Sequence, residues 1–239
     1  MAREKVKRIP EFKEVTYDEE HWRILRELRN QAKQIMDIFI DNGIDVILHG
    51  SIARGDVWSG SDIDIVIPYK IPSYKVELVL DKKGINPVAR YIVIATPLST
   101  PKAYIVLEKN VQVNISFPLL EFKPRELEFY RFGGFLTYNE LLQNVRVAGV
   151  NKSLVLIEPT PNGHREMPVI GFEEYVARRL GISVETVIER VQVLTRRDDI
   201  GRTGVFAKYA LMPDESFEER LKKIIRDKPI LRRLYEGSF

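Results

Sequence analysis

The sequence predicts an α/β (α+β) fold, with a mixed β-sheet and its helices in the N-terminal part and a smaller α/β part behind it. Three observations carry this. Apolar residues between Asp18 and about Asp41 recur at helical spacing: Trp22, Leu25, Leu28, Ala32, Ile35, Ile38 and Phe39. Short runs rich in Ile, Val and Tyr then follow as far as Pro118, several alternating in polarity. From Phe172 the helical period returns.

Taken in order, Asn42-Gly43 ends the first helix, glycine accepting the left-handed cap. "IDVILHG" reads as a short buried strand and "SIARGDVW" as a short helix or tight turn. "SDIDIVIP" is a strand that Pro68 terminates, and "SYKVELVLDKKG" a helix. "PVARYIVIATP", "KAYIVLEKN" and "VQVNISFP" are three more strands, with Lys109-Asn110 as a tight turn between the last two. The pattern breaks up between Pro118 and Gly134, where a loose boundary is expected. Asn162-Gly163 is a turn signal between two strands, and "DESFEERLKKIIRDKPILRRL" an amphipathic helix and tail broken at Pro229. The expected division is 1–130, 131–212 and a C-terminal helix with its tail over 213–239.

Composition narrows the function classes. The 239 residues are 44% hydrophobic and 30% charged, which is enough for one large or two small globular domains. With no Cys, a disulfide scaffold, a thiolate metal site and a Cys nucleophile are excluded. No apolar run is long enough to span a bilayer, and the basic N-terminus has no apolar core of a secretion signal. The expected location is the cytoplasm, with no membrane partner. A net charge of +3 permits nucleic-acid binding without arguing for it. His21, His49 and His164 lack ligand spacing, so no zinc site is expected.

The chemistry concentrates between His49 and Ile67, "HGSIARGDVWSGSDIDIVI". Residues two apart on a strand share a face, so Asp62 and Asp64 project together while Ile63 and Ile65 point to the core. Two adjacent carboxylates call for a cation, and Mg²⁺ takes oxygen ligands from one or two carboxylates plus phosphates. Gly50-Ser51, where a strand turns into a helix, offers backbone N–H groups and a hydroxyl to a phosphate. Asp-x-Asp or Gly-Ser alone is common on solvated strand ends; the joint spacing is far more specific.

That joint pattern, Gly50-Ser51, Ala53-Arg54-Gly55 and then Ser61-Asp62-x-Asp64, resembles the DNA polymerase β nucleotidyltransferase superfamily, and most closely its minimal signature. The strand order extends the resemblance to roughly residues 18–120. It implies transfer of NMP from an NTP to an acceptor hydroxyl, with Mg²⁺ or Mn²⁺ held by Asp62 and Asp64. Gly50 and Ser51 would bind the β,γ-phosphates. Arg54 would offset phosphate charge or pair with Asp56; Ser61 would bind phosphate or, as the structural alternative, the strand end. The family's third carboxylate comes from a later strand. By alternation in "VQVNISF" that position is Asn114, facing the same way as Gln112 and Ser116. An amide brings neither negative charge nor a base, and Glu108 and Glu121 are possible substitutes.

"VARRLGISVETVIERVQVLTRR" resembles the helix-turn-helix of winged-helix proteins, with Gly181 as the turn, Ser183 as N-cap and a wing in "RRDDIGRTGVFAKYAL". Arg190, Arg196 and Arg197 are its candidate contacts to DNA or RNA. Against that, Glu166 to Met212 holds seven basic and seven acidic side chains, and Glu185 and Glu189 on the second helix would repel phosphates. The leading reading is a Mg²⁺-dependent nucleotidyltransferase with a winged-helix-like C-terminal domain and an unidentified acceptor. Its rivals are a nucleic-acid-binding regulator that senses nucleotide without turnover, and an antitoxin-type nucleotidyltransferase that modifies a protein. The base of the NTP and the oligomeric state are not legible.

Overall fold

The computed structural model describes residues 6–8, 11–108, 111–201 and 204–235. In chain order the elements begin β1 (Lys13–Thr16), α1 (Glu19–Ile40), β2 (Ile47–His49), α2 (Ser51–Arg54) and β3 (Ile63–Val66). They continue with α3 (Ser73–Asp81), β4 (Ala89–Ile94), β5 (Lys102–Glu108), β6 (Gln112–Pro118), α4 (Pro124–Gly133), β7 (Phe135–Thr137) and α5 (Tyr138–Leu142). The remainder is β8 (Gly149–Val150), β9 (Val155–Thr160), β10 (Gly163–Pro168), α6 (Glu173–Leu180), α7 (Val184–Ile200), β11 (Ala207–Ala210), α8 (Phe217–Asp227) and α9 (Pro229–Tyr235). The Lys109-Asn110 turn lies outside the described residues. Among those described, no helix is long and apolar enough to cross a membrane.

Two compact units interleave along the chain. One holds Met1–Lys33, Ile47–Ile63 and Pro124–Thr203; the other holds Gln34–Val46, Asp64–Lys123 and Gly204–Phe239. Of the three consecutive segments expected from the sequence, 1–130 and 131–212 each hold parts of both units, whereas 213–239 falls within the second.

In the second unit, β11, β4, β5 and β6 pair antiparallel in that order, with β3 next to β6. Strand alternation puts Ile92, Ile94, Ala103, Ile105, Leu107, Val113, Ile115 and Phe117 on one buried face. Each large aliphatic or aromatic side chain so buried contributes roughly 1.5–3 kcal/mol. Phe217 of α8 covers this face, edge-to-face with Phe117 at 5.7 Å. Glu218, one residue on, accepts from the Ser73 backbone N–H (2.7 Å) and hydroxyl (2.6 Å), tying α8 to the start of α3.

Among the described residues, the segment expected to form a wing contributes a strand to another sheet. Ala207–Ala210 pairs with β4, Ala210 opposite Tyr91 and Lys208 opposite Val93, because a vacant sheet edge satisfies its backbone groups. Pro229 ends nothing beyond α8: it is the first residue of α9, where its missing N–H has no helical partner to lose.

In the first unit, β1, β10, β9 and β8 form an antiparallel sheet. Gly163 faces Thr160, so Pro161 and Asn162 make the turn. Gly163 is required for another reason: a Cβ there would sit 1.8 Å from the Val15 carbonyl oxygen on β1. A core of Phe132, Val150, Leu154, Leu156, Val169, Val176, Ala177 and Val187 joins this sheet to α4, α6 and α7. Gly181 (φ 63°) ends α6 in the left-handed region, and the Ser183 hydroxyl accepts from the Thr186 N–H to start α7. The helix–Gly–helix shape read from the sequence is therefore present.

A buried polar group braces the same unit. Tyr17 and His164 share a hydrogen bond of 2.7 Å between the phenol oxygen and Nδ1, and Tyr17 stacks on His21 at 3.6 Å. Burial holds His164 below the ordinary imidazole range, partly offset by Glu166. The folded state thus keeps His164 neutral while the unfolded chain protonates it. This contribution is complete above about pH 6.5 and is lost as pH falls below it. Thermal melts from pH 7.5 to 5 should show an acid-side drop in Tm that His164→Gln flattens.

Candidate nucleotide site

In the first unit, β2 delivers His49 and then Gly50, whose backbone (φ 82°, ψ −150°) lies in a region essentially restricted to glycine. That bend turns the chain directly into α2: the Arg54 N–H reaches the Gly50 carbonyl at 3.1 Å, and left-handed Gly55 closes the turn. Gly50→Ala should cost about 1–3 kcal/mol through backbone strain alone, read as a lowered denaturant midpoint. Loss of nucleotide binding in a Gly50 variant therefore counts only after its folding has been measured.

The Ser51 hydroxyl donates to the Ser61 Oγ at 3.3 Å, and that oxygen also accepts the Trp58 N–H at 3.1 Å. Ser61 is buried and works as a knot in the loop between the two halves of the motif, the structural alternative. Arg54 differs from the phosphate-binding expectation. It is buried, pairs bidentately with Asp56 through Nε and Nη2 (both 2.9 Å), and donates through Nη1 to the Gly133 carbonyl at 2.5 Å. A guanidinium so engaged braces α2 and has little left for a ligand.

The aspartates obey strand alternation. Ile63 and Ile65 are fully buried, whereas Asp62 is exposed and Asp64 half-buried. In the second unit, Asn114 on β6 donates from Nδ2 to Asp64 Oδ1 at 3.0 Å, and Gln112 Nε2 donates to Asn114 Oδ1 at 2.9 Å. The amide thus spends its oxygen on Gln112 and its N–H on Asp64. Asn114 therefore sits against Asp64, in the third-carboxylate position read from the sequence, and its amide N–H holds one oxygen of that carboxylate. Sequence alternation placed Asn114 and Gln112 on one face but gave no sign of this relay. Burial and the charge of Asp64 push the half-buried Tyr104 phenol up to about 12.

Glu108 lies opposite Gln112 at the exposed end of β5, and Glu121 is exposed beyond β6. Among the described residues no group of three or more His, Asp or Glu side chains has metal-holding proximity. Two carboxylates on one strand face still fit a hard divalent cation, which completes its oxygen shell with phosphates and water.

Residues 25–120 match the nucleotidyltransferase domain family. The matched segment runs from α1 to the loop after β6 and includes Gly50, Ser51, Asp62, Asp64 and Asn114. No curated protein matches the chain. The match covers the motif and the strands around it and leaves residues 1–24 and 121–239 outside.

Of the predicted nucleic-acid contacts, Arg196 and Arg197 are exposed. Arg190 is not part of an exposed basic cluster: its guanidinium packs 4.9 Å from the Phe129 ring and 6.0 Å from Phe132 on α4. Phe129 in turn lies 5.7 Å from His49. The sequence gives no signal for this layer, because its members come from three separate elements.

Proposed function

We propose that the chain transfers NMP from an NTP to an acceptor hydroxyl, with Asp62 and Asp64 holding a divalent cation and Gly50-Ser51 receiving phosphates. The observation that supports this reading is an exposed Asp62 just before β3 and a half-buried Asp64 within it, flanking buried Ile63, with Asp64 bonded by Asn114. A cation there supplies charge neutralisation and Lewis acidity at the phosphates. The residues supply position: glycine-only backbone at Gly50 permits close approach, and the Gln112–Asn114 relay sets the Asp64 carboxylate.

A second reading has a specific observation in its favour. The amide at position 114 gives the acceptor hydroxyl no base, which suits a domain that binds nucleotide and turns it over slowly or not at all. Incubation with each labelled NTP and Mg²⁺, scored for pyrophosphate and labelled product, separates the two. Pyrophosphate release is expected for the transferase. Saturable, metal-dependent binding with no release would replace it with the nucleotide sensor.

A further inference from the structure

Arg190 sits mid-way along α7 with its guanidinium against the faces of Phe129 and Phe132. Its Nε is buried without a hydrogen-bond partner. Among the described residues, the rest of the guanidinium forms no hydrogen bond or ion pair either, although Glu189 next in sequence exerts some attraction. Burial, aided by the charge of Arg197, pulls its pKa down to about 10. The aromatic stack accounts for where the flat group lies. It does not account for Nε, a donor buried without a partner, or for the Nη groups of this half-buried cation, which no protein acceptor takes up.

The direction in which that anion lies follows from the aromatic layer. Phe129 contacts His49 at 5.7 Å, His49 anchors through Nδ1 to the Gly134 carbonyl at 2.9 Å, and Gly50-Ser51 is the next step of the chain. A planar cation at one end of the layer and a glycine–serine turn at the other match a string of phosphates better than a single one. We infer that Arg190 is a polyphosphate-binding residue, which holds the outer phosphates of a nucleoside triphosphate whose phosphate chain passes Gly50-Ser51. This rests on the nucleotide reading above and adds to it a binding residue outside the segment that matches the nucleotidyltransferase domain.

The test uses the full chain, with Arg190→Met, Arg190→Gln and Arg190→Lys. Calorimetry and thermal melts are run with tripolyphosphate, each NTP, adenosine and a single-stranded oligonucleotide. Tripolyphosphate should raise the Tm of the wild type, and Arg190→Met and Arg190→Gln should bind it about 10- to 100-fold more weakly, as expected for lost charged hydrogen bonds. Arg190→Lys should retain part of the affinity, and adenosine binding should be unchanged throughout. Free of ligand, Arg190→Met should melt no lower than wild type, since it removes an unsatisfied buried Nε and keeps apolar contact with the two rings.

Unchanged tripolyphosphate affinity in both neutral variants overturns the inference, with or without a loss of Tm. So does an Arg190 dependence seen with the oligonucleotide alone, which would assign the phosphate to a nucleic-acid backbone. NTP binding that ignores Arg190 leaves the transferase reading standing and this one refuted. Arg190-dependent tripolyphosphate binding by a protein that binds no NTP refutes the nucleotide reading and overturns the inference as stated, leaving Arg190 a site for inorganic polyphosphate.

Discussion

Asn114→Asp should raise Mg²⁺-dependent nucleotide transfer by about 10²–10⁴-fold, the usual worth of a positioned base. The wild-type amide donates to Asp64 across 3.0 Å, so a carboxylate at 114 needs no new reach to join Asp64 on a cation. Without a cation the same change sets two like charges in contact. One of them must then take a proton at a raised pKa, or the fold loses stability. The variant should therefore melt below wild type in EDTA and gain far more Tm from Mg²⁺ than wild type does. A metal response no larger than wild type, with transfer unimproved, would show that position 114 is remote from the cation.

Asp64→Asn should lower transfer by on the order of 10²–10³-fold or more, the scale on which removal of one electrostatic group in an active site is felt. The loss has two sources: a carboxylate ligand disappears, and the Gln112–Asn114 relay is left ending on a neutral amide. Stability should change little, because Asp64 is only half-buried and its one amide donor keeps an oxygen to bond. Single-turnover rates at saturating Mg²⁺, read beside a thermal melt, separate the two quantities. Asp62→Asn should behave similarly in activity, with no relay to disturb. Full activity in both variants would remove the carboxylate pair from the chemistry.

Much of the site was legible because strand alternation is a strict local rule. Asp62 and Asp64 beside buried Ile63 and Ile65, and Asn114 in phase with Gln112, follow from a period of two. Arg54 was undecided between phosphate and Asp56; the structure shows the pair with Asp56, an acid two residues away, on a buried guanidinium. The illegible parts are those that no local period marks. In "PRELEFYRFG" the apolar Leu127, Phe129, Tyr130 and Phe132 fit neither a clean helix nor a clean strand, so α4 escaped. Four residues with one aliphatic among them, Lys13–Thr16, became β1 only because β10 was there to pair with. Gly201 and Gly204 signalled a local wing, whereas β11 found its partner in β4, far away in sequence.

Strand β11 and helix α8 also constrain how the polypeptide can be made. The buried face of β4, β5 and β6 needs Phe217, but a ribosome delivers that residue only after all of Pro124–Thr203 has emerged. The first unit's segments are all out by then, so a nascent chain halted near residue 203 already carries everything the first unit contains. It still lacks Phe217 over Phe117 and β11 on the edge of β4, and so displays the kind of transient apolar surface and open strand edge that chaperones shield. Assembly in the cell is thus ordered by threading: the unit bearing Gly50 and Ser51 can mature first, and the unit bearing Asp64 and Asn114 closes only when the later stretch folds back onto it.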